Sequence, residues 1–517
     1  MSLLRSAATV SGLTLFSRIT GLLRDILIAS SFGAGPLTDA FWVAFRIPNL
    51  LRRLFAEGAF SQAFVPILGQ ARSQHPQEQV RLLLDRVALL LTAVLMAVTL
   101  LGILATPWVV GAMASGLLAP ARHEAFESAV WMTRLMFPYI LCMSLVAFAS
   151  GVLNTWSRFA VPAFTPVLLN LAMIAACLFL APYFDVPIHA LAAGVMLGGV
   201  AQLAVQWAAL RRLGLAPRFS PRLAQAWADP TVKRIMRQML PAILGVSVAQ
   251  VSLLINTNIA TWLASGSVTW LSFADRLMEF PTALLGIALG TVLLPSLSAA
   301  HARQDHDGYS ALLDWGLRLV VLLGLPAALG MALLSEGLVA TLFNYGAFGA
   351  HDVHQTRLAV IAYSAGLLGL LSIKILAPGF YAKQDIRTPV KIAVFVLVLT
   401  QAMNAVFVPL LDHAGLALSI GLGASVNALV LGVLLRRRGL YRPGAGWGRF
   451  ALRALPAMAA LCAVLLEADR HIDWVGGVHG AMRALWLAAV LAAAALAYFV
   501  VLFLCGFRPR DFTRRAP

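Results

Sequence analysis

The chain has 517 residues, 60% of them hydrophobic and only 12% charged, with a mean hydropathy of +0.84. Soluble domains carry roughly 25% charged residues, so a globular soluble protein is excluded, and apolar runs of about 20 residues exclude an outer-membrane barrel, whose strands are about 10 alternating residues long. A net charge of +17 invites a nucleic-acid partner, but the excess lies in short loops on alternate sides of the apolar segments, so none is expected.

Fourteen membrane spans are predicted, near 9–33, 37–69, 86–114, 127–153, 160–182, 188–210, 239–264, 270–298, 313–334, 357–380, 389–410, 414–435, 450–467 and 481–506. The first two carry charges where few belong: Arg18, Arg24 and Asp25, then Asp39, Arg46, Arg52, Arg53 and Glu57. A charge at the bilayer centre costs roughly 2.5–3.5 kcal/mol on insertion scales, so several of them facing lipid would cost on the order of 10–20 kcal/mol. They must face protein or a wet cavity. On the first helix Ser11, Thr14, Arg18 and Asp25 fall on one stripe, with Arg24 beside Asp25. The second span is longer than a crossing needs. As one helix, residues 37–69 would reach about 50 Å against a core of about 30 Å, so Pro48 and Gly58 are expected to bend or break it.

The third to sixth spans have clean apolar interiors. After them comes a basic, Pro-containing stretch with Arg211, Arg212, Arg218, Arg222, Lys233, Arg234 and Arg237. The eighth span opens with Asp275, Arg276 and Glu279, Asp275 and Glu279 being i,i+4 on one face, and Lys374 lies in the tenth. Asn256, Asn258, Gln401, Asn404, Ser419 and Asn427 lie in the seventh, eleventh and twelfth spans, where hydrogen bonding between helices is the expected use. Cys142, Cys177, Cys462 and Cys505 lack metal-type spacing and are read as small apolar packers. The basic loops fall on one side, which the positive-inside rule places in the cytoplasm together with both termini. No cleavable signal peptide is expected, because Arg18 and Arg24 interrupt the first apolar stretch.

The chain also repeats itself at an offset of about 225 residues. The segment from His189 to Gly214 parallels the one from His413 to Gly439, Pro162 parallels Pro389, and Pro66 parallels Pro295. Six spans per repeat is an even number, so both halves share one orientation. The expected fold is therefore all-α and polytopic. It has a first lobe at 1–210, a basic linker at 211–238, a second lobe at 239–438, and two extra helices with a basic tail at 439–517. Two pseudo-symmetric six-helix lobes around a central path are a transporter plan, with alternating access. Arginines outnumber carboxylates in the first two spans, which favours an anionic ligand with phosphate oxygens. No metalloprotease, P-loop, paired-cysteine or nucleophile motif is present. The chain is thus expected not to be an enzyme and to need no cofactor or metal. The driving energy is left to an ion gradient, the membrane potential or an outside process.

At these residues the sequence closely resembles the MurJ (MviN) lipid II flippases of the multidrug/oligosaccharidyl-lipid/polysaccharide exporter superfamily. The stretches that carry the likeness are TLFSRITGLLRD from Thr14, TDAFWVAFRIPNLLRRLFAEGAFSQAFVPI from Thr38, GVLNTWSRFAVPAF from Gly151, LPAILGVS from Leu240, SFADRLMEFP from Ser272 and APGFYAKQDIRTPVKIA from Ala377. The resemblance implies movement of undecaprenyl-pyrophosphate-linked peptidoglycan precursor from the cytoplasmic to the periplasmic leaflet of the bacterial inner membrane. It implies that Arg18, Arg24, Arg52 and Arg276 are cavity arginines for the pyrophosphate, and that Asp25, Asp39 and Glu57 pair or gate them. Arg53, Asp275 and Glu279 join that ion-pair group. Arg18 and Arg24 are expected to be unneutralised charges at depth. The expected partners are lipid II, membrane lipids and the cell-wall synthesis machinery, with the protein itself a monomer. The chain departs from some members in having no acidic residue inside the seventh, eleventh or twelfth span, where certain relatives hold sodium. Other readings remain open: another exporter of polyprenyl-linked polysaccharide or drugs, a membrane glycosyltransferase or lipid phosphatase, or an anion channel.

Overall fold

A computed structural model describes the backbone of residues 3–52, 60–218 and 223–508, and of these the side chains of all but 3–8, 51–52, 61–62, 240–249 and 287–292. Among the described residues every regular element is helical. The helices are α1 (Leu3–Phe32), α2 (Pro36–Arg52), α3 (Phe60–Gln74), α4 (Gln77–Met113), α5 (His123–Met136), α6 (Tyr139–Thr155), α7 (Ala160–Ala175), α8 (His189–Arg212), α9 (Leu223–Ala228) and α10 (Pro230–Trp262). They continue with α11 (Ser267–Ala302), α12 (His306–Leu319), α13 (Leu325–Leu333), α14 (Ser335–Phe343), α15 (Ala350–Tyr381), α16 (Arg387–Arg437), α17 (Trp447–His471) and α18 (Gly480–Leu504). The chain divides into two compact units, 1–268 and 269–517.

Nine helical stretches among the described residues are long and apolar enough to cross a membrane. They do not include α1, where Arg18, Arg24 and Asp25 interrupt the apolar composition. Large side chains exposed on the apolar helices, such as Leu104 and Trp108 on α4 and Leu496 and Phe503 on α18, are surfaces for lipid tails.

Helix α2 continues through Pro48 to Arg52, so of the expected bend or break, a break at Pro48 does not occur. Gly58, Arg53 and Glu57 lie outside the described residues. The fourth predicted span is divided at Phe137–Pro138 into α5 and α6, at a proline that lacks the amide to continue the ladder. α10 starts at Pro230, inside the stretch read as linker. There the Asp229 carboxylate accepts from the amides of Thr231 (2.7 Å) and Val232 (3.2 Å) and pairs with Arg86 of α4. Burial opposes the charge on Asp229, but Arg86 and those two amides outweigh it and hold the carboxyl below its usual range. An Asp N-cap followed by Pro at the first helical position is a strong start signal.

Helix α16 would be about 76 Å long at 1.5 Å per residue, more than twice the bilayer core. It reverses at Asp412, whose φ of 48° and ψ of −131° leave the helical region. Gly415 lets the reversal close, since a Cβ there would lie 2.3 Å from the Phe407 carbonyl oxygen. The second arm, 413–437, packs on α15 through Gly421 against Gly366, where an added Cβ at Gly366 would lie 2.1 Å from the Gly421 Cα. The corresponding helix of the first unit, α8, also packs through glycines, Gly198 against Leu169 of α7 and Gly199 against Tyr139 of α6. His189 and His413 each lie against a tryptophan and hold one hydrogen bond. His189 stacks on Trp131 at 4.3 Å and bonds the Ser128 hydroxyl, while His413 lies 5.1 Å from Trp270 and bonds the Gln355 carbonyl.

Candidate functional site

Within the first unit the buried charge is concentrated where α1 meets α7. Arg24 is 6% exposed and Asp25 is 1% exposed. Arg24 donates from Nε and Nη2 to Asp25 Oδ1 at 2.9 and 2.6 Å, and from Nη1 to Asn170 Oδ1 at 3.0 Å. Asn170 in turn donates from Nδ2 to the Ser17 carbonyl at 3.0 Å and to Thr20 Oγ1 at 3.1 Å. The network ties two turns of α1 to one side chain of α7. Its geometry corrects one expectation: Arg24 is not an unneutralised charge, because Asp25 supplies the countercharge directly. The physical reason is the cost of an unpaired buried cation, which is several kcal/mol. A guanidinium has five N–H groups, so Arg24 keeps donor capacity on its Nη atoms beyond the bonds to Asp25 and Asn170. Arg18, almost two turns earlier, is half-buried and makes no ion pair among the described residues.

Two further contacts in this unit involve α2. The Asp39 carboxylate, 6% exposed, accepts from the Gly266 amide at 2.7 Å, immediately before the first residues of α11. A carboxylate at a helix start is favoured by the unsatisfied amides there. Arg46 donates to the hydroxyl of Thr257 on α10. Towards the end of α10, Asn258 accepts from Ser115 Oγ at 3.0 Å and donates to the Ala112 carbonyl at 2.9 Å, and Arg122 donates to the carbonyls of Thr261 and Leu263. Asn258 is thus used for bonding between elements, as expected. The backbones meet closely there, since a Cβ on Gly116 would lie 2.3 Å from the Thr261 carbonyl oxygen. Arg52 ends α2, and its side chain lies outside the described residues, as do Arg53 and Glu57 entirely.

In the second unit, Arg276 Nη1 donates to Glu279 Oε2 at 2.8 Å one turn on, with both side chains partly exposed. Asp275 is exposed. Lys374 is exposed, and its stem lies by Gly286. The buried Asn404 donates to Gln401 Oε1 at 3.0 Å. No group of three or more His, Cys, Asp or Glu suited to a metal occurs among the described residues, and all four cysteines are free thiols, two buried and two half-buried.

Sequence reasoning brought Arg24 and Asp25 together correctly but did not single out Asn170, Thr20, Thr257 or Gly266. Asn170 carried a usable signal as a lone amide in the otherwise apolar α7. The contacts of Thr257 and Gly266 depend on distant parts of the chain and left no local trace.

Comparison with known proteins gives consistent likenesses. A family model described as Lipid II flippase MurJ matches residues 28–502. A Burkholderia cenocepacia protein named Lipid II flippase MurJ is 52% identical over 517 residues, covering 100% of both chains. A Vibrio cholerae protein named probable lipid II flippase MurJ is 39% identical, covering 98% of this chain and 97% of its own. A solved structure described as Lipid II flippase MurJ, inward closed conformation, matches with a TM-score of 0.78 at 22% identity over 96% of this chain and 98% of that one. An inward-facing multidrug resistance MATE family transporter of the MOP superfamily matches with a TM-score of 0.69 at 14% identity over 84% of this chain and 98% of its own. At these identities the structural matches establish the fold.

Proposed function

Because this chain belongs to the lipid II flippase MurJ family, we propose that it carries lipid II from the cytoplasmic to the periplasmic leaflet of the bacterial inner membrane by alternating access. In this reading fourteen spans form two six-helix lobes and a C-terminal pair, both termini are cytoplasmic, and the protein acts as a monomer that serves the cell-wall synthesis machinery. No step needs a bond made or broken by the protein, so it is a transporter and not an enzyme. An ion gradient or the membrane potential drives it, without a resident cofactor.

The observation that carries the proposal is the buried Arg24–Asp25 pair on a membrane helix, held by Asn170. A buried carboxylate beside an arginine keeps the guanidinium compensated while no ligand is present. A pyrophosphate offers more acceptor oxygens and more negative charge than one carboxylate, so it can take over Arg24 without leaving a bare cation in low dielectric. Arg18, already half-buried on the same helix, adds a second cation, and Arg52 and Arg276 complete the anion-binding set. Asp25, Asp39, Arg53, Glu57, Asp275 and Glu279 are the pairing and gating charges, released and re-formed as the site fills and empties. The likeness to MATE transporters in fold does not extend to chemistry here, because a cavity for cationic drugs calls for an excess of carboxylates.

The test is depletion of this protein in growing cells followed by leaflet-resolved measurement of lipid II. Accumulation in the cytoplasmic leaflet is expected. An unchanged distribution between leaflets would refute the proposal.

A further inference from the structure

A large cavity in the second unit is lined by none of the charges discussed above. It encloses about 1250 Å³ between the start of α12, the loop before α16, the connection from α16 to α17 and the end of α18. Its lining is strongly basic: Arg318, Lys383, Arg438, Arg442, Arg449 and Arg453 face two carboxylates, Asp307 and Asp314.

The pairing inside the cavity accounts for only part of that charge. Asp314 is fully engaged. One oxygen accepts from Tyr441 (3.1 Å), the Gly444 amide (3.0 Å) and Trp447 Nε1 (2.7 Å), and the other pairs with Arg318 at 2.8 Å. Arg438 is held by Asp385 at 2.7 Å and by the Thr388 hydroxyl at 2.9 Å. The side chains of Lys383, Arg442, Arg449 and Arg453 make no ion pair among the described residues, and Asp307 is the one lining carboxylate left to offset them.

Hydrogen bonds brace the walls. Ser310 Oγ bonds both the amide and the carbonyl of Arg442, at 2.8 and 3.0 Å, and Arg318 donates to the Ala445 carbonyl at 3.1 Å while lying over the Trp447 ring. A basic pocket whose backbone is fixed before anything binds loses little entropy on accepting an anion. Helix α17, which carries the lining Arg449 and Arg453, and α18, which ends just before the lining Gly506, also expose apolar side chains. Leu452 and Leu455 follow Arg449 on α17 and are 70% and 60% exposed, and Phe503 and Leu504, just before the lining residue Gly506, are 64% and 77% exposed. A soluble anion has no use for such apolar neighbours, whereas the acyl chains of a lipid do.

We propose that this cavity binds the phosphate headgroup of an anionic phospholipid of the phosphatidylglycerol class, with Arg442, Arg449 and Arg453 on the phosphate and the acyl chains over the exposed side chains of α17 and α18. Basic pockets among membrane helices recognise anionic headgroups through such clusters. That the site faces the cytoplasmic leaflet rests on the orientation proposed above, but the binding itself does not.

The test uses the purified full chain in non-ionic detergent, titrated by calorimetry with short-chain phosphatidylglycerol, with phosphatidylcholine of the same chains, and with inorganic phosphate. Phosphatidylglycerol is expected to bind most tightly. R442Q/R449Q/R453Q should weaken it about a hundredfold, taking roughly one charge contact per arginine. Removing Arg211, Arg212 and Arg237 instead should leave it unchanged. R449Q alone, at an exposed position, should weaken binding about fivefold, and it serves where the triple variant is unstable. Undiminished binding in both variants, equal binding of phosphatidylcholine, or inorganic phosphate matching the lipid would each overturn the proposal. Lipid II movement is read separately in vesicles, so failure here leaves the flippase reading standing.

Discussion

The sharpest prediction concerns the countercharge of Arg24. Asp25→Ala removes the carboxylate that accepts from Nε and Nη2 and leaves a guanidinium, 6% exposed, with Asn170 as its remaining hydrogen-bond acceptor of full length. Stranding one member of a buried pair costs about 3–5 kcal/mol, whereas removing both members is close to neutral. Asp25→Ala should therefore lower the unfolding midpoint of the purified protein by several degrees, and Arg24→Ala should do the same. The double variant Arg24→Met/Asp25→Leu should recover most of the loss. In a closed cycle of Arg24→Met, Asp25→Leu and the double variant, followed by denaturant titration, the coupling between the two positions should be on the order of 5 kcal/mol, more than either single loss alone. The cycle also separates stability from transport, because the recovered double variant should be folded and yet inactive. Additive losses, or single variants as stable as the parent, would refute the pairing as the reason Arg24 can be buried.

Other perturbations follow from the same geometry. Asn170→Ala removes three hydrogen bonds between α1 and α7 and should cost about 1–3 kcal/mol in denaturant stability, while Asn170→Asp should keep the acceptor for Arg24. Gly366→Leu places side-chain atoms where the Gly421 backbone already lies and should abolish folded protein in membrane fractions, whereas a substitution at Gly12, with open space around it, should not. The pH dependence of Asp385 has a definite sign. The Thr388 hydroxyl, Arg438 and the Thr388 amide bring its carboxyl down to about 2. Its contribution is therefore fully present above about pH 4 and is lost as pH falls from there through the folded value. Solvent screening limits the effect to about 1 kcal/mol or less, and acid unfolding of Asp385→Asn against the parent would read it.

Much of the fold was legible in composition. Hydropathy located the long apolar helices, but the stretch 211–238 reads as linker from its basic residues, and that reading passes over the Asp229-Pro230 capping signal for the start of α10 inside it. The reversal at Asp412 was legible too: the spans expected at 389–410 and 414–435 part there, and the backbone leaves the helical region at Asp412, between Pro409 and Gly415. The candidate site was legible as a class. Charges in membrane helices must find partners, which singled out Arg24 and Asp25. Adjacent positions on a helix lie about 100° apart, and the long arginine side chain folds back over that angle to reach Asp25. The partners Asn170, Thr257 and Gly266 are set by packing between elements far apart in the chain, and no periodicity encodes them.

The central claim is that Arg24 hands its charge from Asp25 to the pyrophosphate of a lipid carried across the membrane. The most direct measurement is transport of labelled lipid II by the purified protein reconstituted in vesicles, comparing the parent with Arg24→Ala and with the folded Arg24→Met/Asp25→Leu protein. The parent should move lipid II between leaflets, and both variants should fall to the rate of protein-free vesicles while remaining folded. Movement at the parental rate by either variant would contradict the claim.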